Sequence, residues 1–210
     1  MESIEKIVAK QLLDIKAVKL NPENPFTWAS GWKSPIYCDN RKVLSYPAAR
    51  KVVYEAFVEI IKKNFKDVEV IAGVATGAIA YGMMVAEVLG LPFVYVRPKP
   101  KDHGTGAQVE GDLPPKARVV VVEDLISTGG SSLAAVDALH KADANVLGMV
   151  AIFSYNFIKS IRAFENANVE LHTLSHYEAL LEKAVEENYI KAEDLKVLKE
   201  WRINPEIWGK

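Results

Sequence analysis

Residues 119–132 read VVVVEDLISTGGSS, and no other stretch of the chain narrows the fold as far. Four consecutive apolar, β-branched residues suit a strand buried on both faces, the habit of a parallel strand covered by helices. Two acids, Glu123 and Asp124, follow directly. A hydroxyl-rich turn with a double glycine comes next, then a helical pattern from Leu133 to Lys141. A strand of this type ends at the sheet edge where ligands collect. Glycines there let backbone N–H groups approach a phosphate, and the start of the next helix adds a favourable dipole. The acids suit the vicinal hydroxyls of a ribose or a hydrated divalent cation. The GxxxxGK[ST] pattern of a nucleoside-triphosphate loop does not occur in this stretch.

The flanking sequence extends the alternation. Strands are predicted at Glu69–Gly73, Phe93–Arg97, Arg118–Glu123, Val146–Phe153 and Val169–Leu174. Helices are predicted at Ile79–Leu89, Ser131–Lys141 and near Ile158–Asn166. This order implies an α/β fold with a central, mainly parallel sheet flanked by helices. Ahead of it, Ile4, Ile7, Val8, Leu12 and Ile15 mark an amphipathic helix. The turn-rich segment Asn21–Pro47 reads as short strands and loops, so residues 1–47 form most of a small N-terminal hood. A helix at Ala48–Phe65 follows, and two more, Tyr177–Glu187 and Ala192–Arg202, close the chain. The expectation is a single domain over residues 1–210.

A second motif, Tyr95–Gly106, reads YVRPKPKDHGTG. Arg97, Lys99, Lys101 and His103 fall within seven residues, separated by prolines and followed by glycines. So little apolar content cannot anchor a loop, and residues 97–112 are expected to be mobile and to close over a ligand. Cations placed where a pyrophosphate departs lower the barrier to its departure. His103 titrates near neutrality and can donate a proton or a hydrogen bond. Gly73–Gly77 lies between a strand and a helix, and reads equally as a pyrophosphate-binding turn or a plain tight one.

Lys and Arg total 26 against 27 Asp and Glu, for a net charge of −1. That balance gives no support to a nucleic-acid binder. The one cysteine, Cys38, excludes an internal disulfide and suits a reducing compartment. The mixed-charge N-terminal segment resembles neither a signal nor a transit peptide, and the longest apolar run is too short to span a bilayer. A cytoplasmic location without membrane contact is expected. His140, His172 and His176 have no metal-ligand spacing.

EDLISTGGS, Glu123–Ser131, resembles the signature with which type I phosphoribosyltransferases bind phosphoribosyl pyrophosphate (PRPP). RPKPKDHGTG resembles the catalytic loop of the orotate phosphoribosyltransferase family within that group. FTWASGWKSPIYCDNR, Phe26–Arg41, resembles the region covering its substrate. The resemblance runs across nearly the whole chain. It implies the type I phosphoribosyltransferase fold and a pentosyl transfer in UMP biosynthesis, from PRPP to orotate, giving orotidine 5′-monophosphate and pyrophosphate. It implies catalytic roles for Lys101, His103 and Asp124. PRPP binding is carried over to Arg97, Lys101, His103, Glu123, Asp124, Leu125, Ile126, Ser127, Thr128, Gly129, Gly130 and Ser131. Ser127 and Tyr37 are assigned to orotate. Mg2+ is expected mainly through PRPP and water, with no metal ligands from the protein. A homodimer is implied, each loop reaching the other subunit's site.

The pattern also departs from the better-known branch of that family. Pro98 stands where that branch has a lysine, Ala29 replaces another, and Ser154–Asn156 stand where it presents an arginine to the orotate carboxylate. Two rivals share the PRPP motif. A purine phosphoribosyltransferase should lack the KDHG loop and the SPIY hood, and a non-catalytic PRPP sensor should carry a nucleic-acid surface.

Overall fold

The computed structural model describes residues 2–100 and 107–209. In chain order, α1 (Ile4–Asp14) leads into four short strands, β1 (Val18–Leu20), β2 (Phe26–Thr27), β3 (Lys33–Ser34) and β4 (Ile36–Cys38). Then come α2 (Pro47–Asn64), β5 (Val70–Val74), α3 (Ile79–Leu89), β6 (Phe93–Val96) and β7 (Val109–Glu110). The remainder is β8 (Arg118–Ile126), α4 (Gly130–Lys141), β9 (Asn145–Ser154), α5 (Ile158–Asn166), β10 (Leu171–His176), α6 (Tyr177–Glu186) and α7 (Leu195–Ile203). Six strands form one sheet in the order β10-β9-β8-β5-β6-β7. β6, β5, β8 and β9 are parallel neighbours, and the edge strand β7 runs antiparallel to β6. The expected mainly parallel sheet is present, with β7 as an addition. Two residues followed by glycine are too short for a period to register in the sequence.

The chain packs as two compact units, Lys51–Leu174 and a discontinuous one, Met1–Arg50 with Ser175–Lys210. The N-terminal segment expected to form most of a hood thus shares its unit with the C-terminal helices.

In the Lys51–Leu174 unit the sheet is buried on both faces. Val119, Val120, Val121 and Val122 are fully buried, as the valine run requires. Val119 and Val121 pack with Ala72, Val94, Met149 and Ala151 beneath Val136 and Leu139 of α4 and Phe164 of α5. Burying each such aliphatic side chain contributes about 1.5–3 kcal/mol. α3 packs on β5, where Gly73 and Gly82 meet beside the ring of Phe93.

In the other unit, β1 pairs with β4 and β2 with β3, both antiparallel. Trp201 of α7 is fully buried, edge-on to Trp28 at 5.6 Å, and donates its indole N–H to the Lys33 carbonyl at 3.1 Å. α1 and α6 are laced by ion pairs, Lys6 to Glu182 and Glu186, and Lys183 to Glu2, Glu186 and Glu187. Lys6 of α1 thus faces acids of α6, while Lys183 of α6 reaches Glu2 just ahead of α1 as well as Glu186 and Glu187 beside it.

Candidate active site

Four parallel strands, β6, β5, β8 and β9, release their chains at one edge of the sheet. That edge gathers Arg97 after β6, Thr76 and Gly77 after β5, the acids and hydroxyls at the end of β8, and Ser154–Asn156 after β9. The sheet edge expected from the valine run to bind a ligand is therefore where those predicted residues of this unit that are described come together.

β8 continues through both acids to Ile126, because Glu123, Leu125 and Ile126 pair with Ala151, Phe153 and Ser154 of β9. This pairing turns Glu123 inward, leaving it 5% exposed. One of its oxygens accepts the Asp124 N–H at 2.9 Å and the other accepts the Ser132 hydroxyl at 2.9 Å. Burial, and then the Asp124 charge beside it, push the Glu123 carboxyl up to about 8. Asp124 is half-buried, and its carboxylate rests against Gly77. Any side chain at 77 would collide with it.

After β8 the chain turns through Ser127 and Thr128. Gly129 caps α4 with φ +83°, a left-handed conformation that favours glycine. No N-cap side chain caps this helix, so its first N–H groups have no partner of that kind. A Cβ on Gly130 would meet nothing within 4 Å, so the backbone there is open to close approach. The loop after β5 approaches the same edge, with a cis peptide bond between Ala75 and Thr76.

Arg97 stays tied to the sheet beyond β6, its N–H donating to the Gln108 carbonyl at 2.9 Å. Lys99 is exposed. Lys101 and His103 lie outside the described residues. Tyr37 belongs to the other unit, on β4, 42% exposed with its ring 5.8 Å from that of Phe26. After β9, Asn156 has φ +51° and donates its N–H to the Ser154 hydroxyl at 3.0 Å. Tyr155 stacks on Phe157 at 5.3 Å. The sequence reading gave no role to Ser132, Gln108 or Glu110. Gln108 and Glu110 flank Val109 and share one face of the ribbon, a run too short to register as a strand in the sequence.

Among the described residues no cluster of three or more His, Cys, Asp or Glu side chains can hold a metal ion. Glu123 is occupied internally, and Asp124 beside it at this edge is half-buried. Nor is any described helix long and apolar enough to cross a membrane.

Residues 40–170 match the phosphoribosyl transferase domain family. Orotate phosphoribosyltransferase of Porphyromonas gingivalis is 54% identical over 209 residues, spanning 100% of both chains. That of Phocaeicola vulgatus is 56% identical over 208 residues, covering 99% of this chain and 98% of its own. Among solved structures, orotate phosphoribosyltransferase from Aeropyrum pernix superposes with a TM-score of 0.75 at 32% identity, over 84% of this chain and 97% of its own. An adenine phosphoribosyltransferase shares the fold at a TM-score of 0.62 and 22% identity, covering 80% of this chain and 99% of its own. Full-length similarity to the orotate enzymes, on a sheet whose parallel strands end beside a glycine turn and an uncapped helix start, decides the assignment: the chain belongs to the phosphoribosyltransferase family, in its orotate phosphoribosyltransferase branch.

Proposed function

We propose that this chain is a pentosyltransferase that moves the phosphoribosyl group of PRPP onto orotate, giving orotidine 5′-monophosphate and pyrophosphate in UMP biosynthesis. The observation that carries the reading is the open backbone cradle at Gly129–Gly130, set between Asp124 and the uncapped start of α4. Its donors suit the 5-phosphate, with Ser127, Thr128 and Ser131 supplying hydroxyls. Asp124 accepts from the ribose hydroxyls. Glu123 stands behind it and fixes its backbone.

In the reaction, the bond from C1 of the ribose to the pyrophosphate oxygen breaks and a bond from C1 to N1 of orotate forms. The N1–H bond of orotate also breaks, and its proton can pass to the departing pyrophosphate, so no protein base is required. Negative charge gathers on the departing pyrophosphate, where Arg97, Lys101 and His103 neutralise it, with Lys101 foremost. Amides of the 75–78 turn complete that pocket. Mg2+, carried by PRPP and water with Asp124 within reach, supplies further charge neutralisation. Ser127 and Tyr37 are assigned to the pyrimidine, Tyr37 by stacking.

The active species is a homodimer with a shared loop. The outward face of α3 supports this, because Met83 and Val88 are 45% and 51% exposed on a helix whose one charged residue is Glu87. The single cysteine and balanced charge support a cytoplasmic location.

The test is the fall in orotate absorbance with purified protein, PRPP and Mg2+, beside adenine, hypoxanthine and uracil. Turnover on orotate alone is expected. Turnover on a purine base instead would overturn the substrate, and PRPP binding without pyrophosphate release would overturn catalysis.

A further inference from the structure

β6 and β7 form the antiparallel stem of the basic loop, with Tyr95 opposite Glu110 and Val96 opposite Val109. One residue further, the Arg97 N–H donates to the Gln108 carbonyl, and Gln108 Nε2 donates back to the Arg97 carbonyl, each at 2.9 Å. Side chains alternate along a strand, so Arg97, Gln108 and Glu110 share one face of this ribbon, with Arg97 and Glu110 as a diagonal pair. Glu110 Oε1 lies 3.7 Å from Arg97 Nη1. That separation allows ionic attraction but exceeds hydrogen-bond reach. Arg97 Nη1 is buried and makes no hydrogen bond among the described residues. A buried guanidinium nitrogen without an acceptor is costly, so this one points to an acceptor that arrives with a ligand.

We propose that Glu110 is a positioning residue, whose carboxylate, from the opposite strand of the stem, holds the Arg97 guanidinium where it meets the phosphate oxygens of PRPP. This rests on the PRPP reading above. An arginine has many rotamers, and fixing one before the ligand arrives lowers the ordering cost of binding. Gln108 fixes the backbone of Arg97 while Glu110 fixes its head group. At 3.7 Å the carboxylate attracts without using up the Nη1 donor.

The experiment is titration of the full chain with PRPP and Mg2+ by calorimetry, for wild type, Glu110→Ala, Glu110→Gln, Arg97→Ala and the Glu110→Ala/Arg97→Ala double variant. Glu110→Ala is expected to weaken PRPP binding about tenfold, and Glu110→Gln, which keeps the size of the side chain but loses its charge, should weaken it nearly as much, because the attraction is ionic. In the Arg97→Ala background, Glu110→Ala should change binding by less than about twofold, because it acts only through Arg97. Thermal melts check that each variant folds. Should Glu110→Ala fail to fold, Glu110→Asp retracts the carboxylate by one methylene and should still weaken binding, again only when Arg97 is present. Wild-type affinity in Glu110→Ala, or an equal loss with and without Arg97, would overturn the proposal. A wild-type chain that binds no PRPP would instead overturn the function from which it starts.

Discussion

The hydroxyl of Ser132, in the first turn of α4, donates to the buried carboxylate of Glu123 at 2.9 Å. The same carboxylate accepts the backbone N–H of Asp124. One inward-facing acid therefore ties the end of β8 to the start of the helix at the proposed phosphate site.

The proton on that acid links stability to pH. The Glu123 carboxyl sits at about 8 in the folded chain, against an ordinary value of 4.5. A value raised by folding means the folded state holds the proton more tightly. Its contribution is fully present below the ordinary value and is lost as pH rises through the folded one. Between about pH 5 and 8, wild-type melting temperature should therefore fall relative to that of Glu123→Gln, which cannot ionise. Parallel melting curves across that range would refute the assignment.

Gly77 carries a steric prediction. Glycine leaves room for the Asp124 carboxylate, and Gly77→Ala would drive that carboxylate from its place. We expect kcat/KM to fall by about 10–100-fold, because a small misplacement of a binding group is amplified in the rate. The variant should melt close to wild type. Undiminished activity would show that Asp124 works from another position.

Trp201 anchors its own unit. Trp201→Ala should destabilise that unit by about 3–5 kcal/mol through the cavity it leaves. Trp201→Phe keeps much of the packing but strands the Lys33 carbonyl, and should cost about 1–3 kcal/mol. Denaturant unfolding followed by circular dichroism reads both, and equal losses would assign the whole effect to the hydrogen bond.

Met83 tests the assembly. If the exposed face of α3 meets a second copy, Met83→Glu buries a charge there and should convert dimers to monomers in sedimentation. A wild-type monomer, or a Met83→Glu dimer of unchanged stability, would place the interface elsewhere or remove it.

Legibility in the sequence followed the length of the signal. Four valines force a doubly buried strand, and the helices Ile79–Leu89 and Ile158–Asn166 occur with their predicted bounds. The turn into α4 was legible because Gly129 takes a left-handed conformation that the double glycine permits. Side-chain direction at the strand's end was not. Adjacent acids on a strand point to opposite faces, and only pairing with β9 decides that Glu123 goes inward and Asp124 stays at the edge. β7 and its partnership with Arg97 were hidden as well, since two residues show no periodicity and their pairing is non-local. The joining of the N-terminal segment with α6 and α7 depends on contacts more than 160 residues apart, such as Trp201 with Lys33.

The sheet ends in β7, two residues long and antiparallel to Phe93–Val96. Without it, β6 would be an open edge of the sequence FVYV, uncharged and rich in β-formers, the kind of strand that pairs with other chains. The stem of the basic loop therefore also guards solubility. A variant trimmed of residues 98–112 should lose more than its cations: it should precipitate as it concentrates, and that loss would pass for misfolding unless the bared edge were charged or capped with proline.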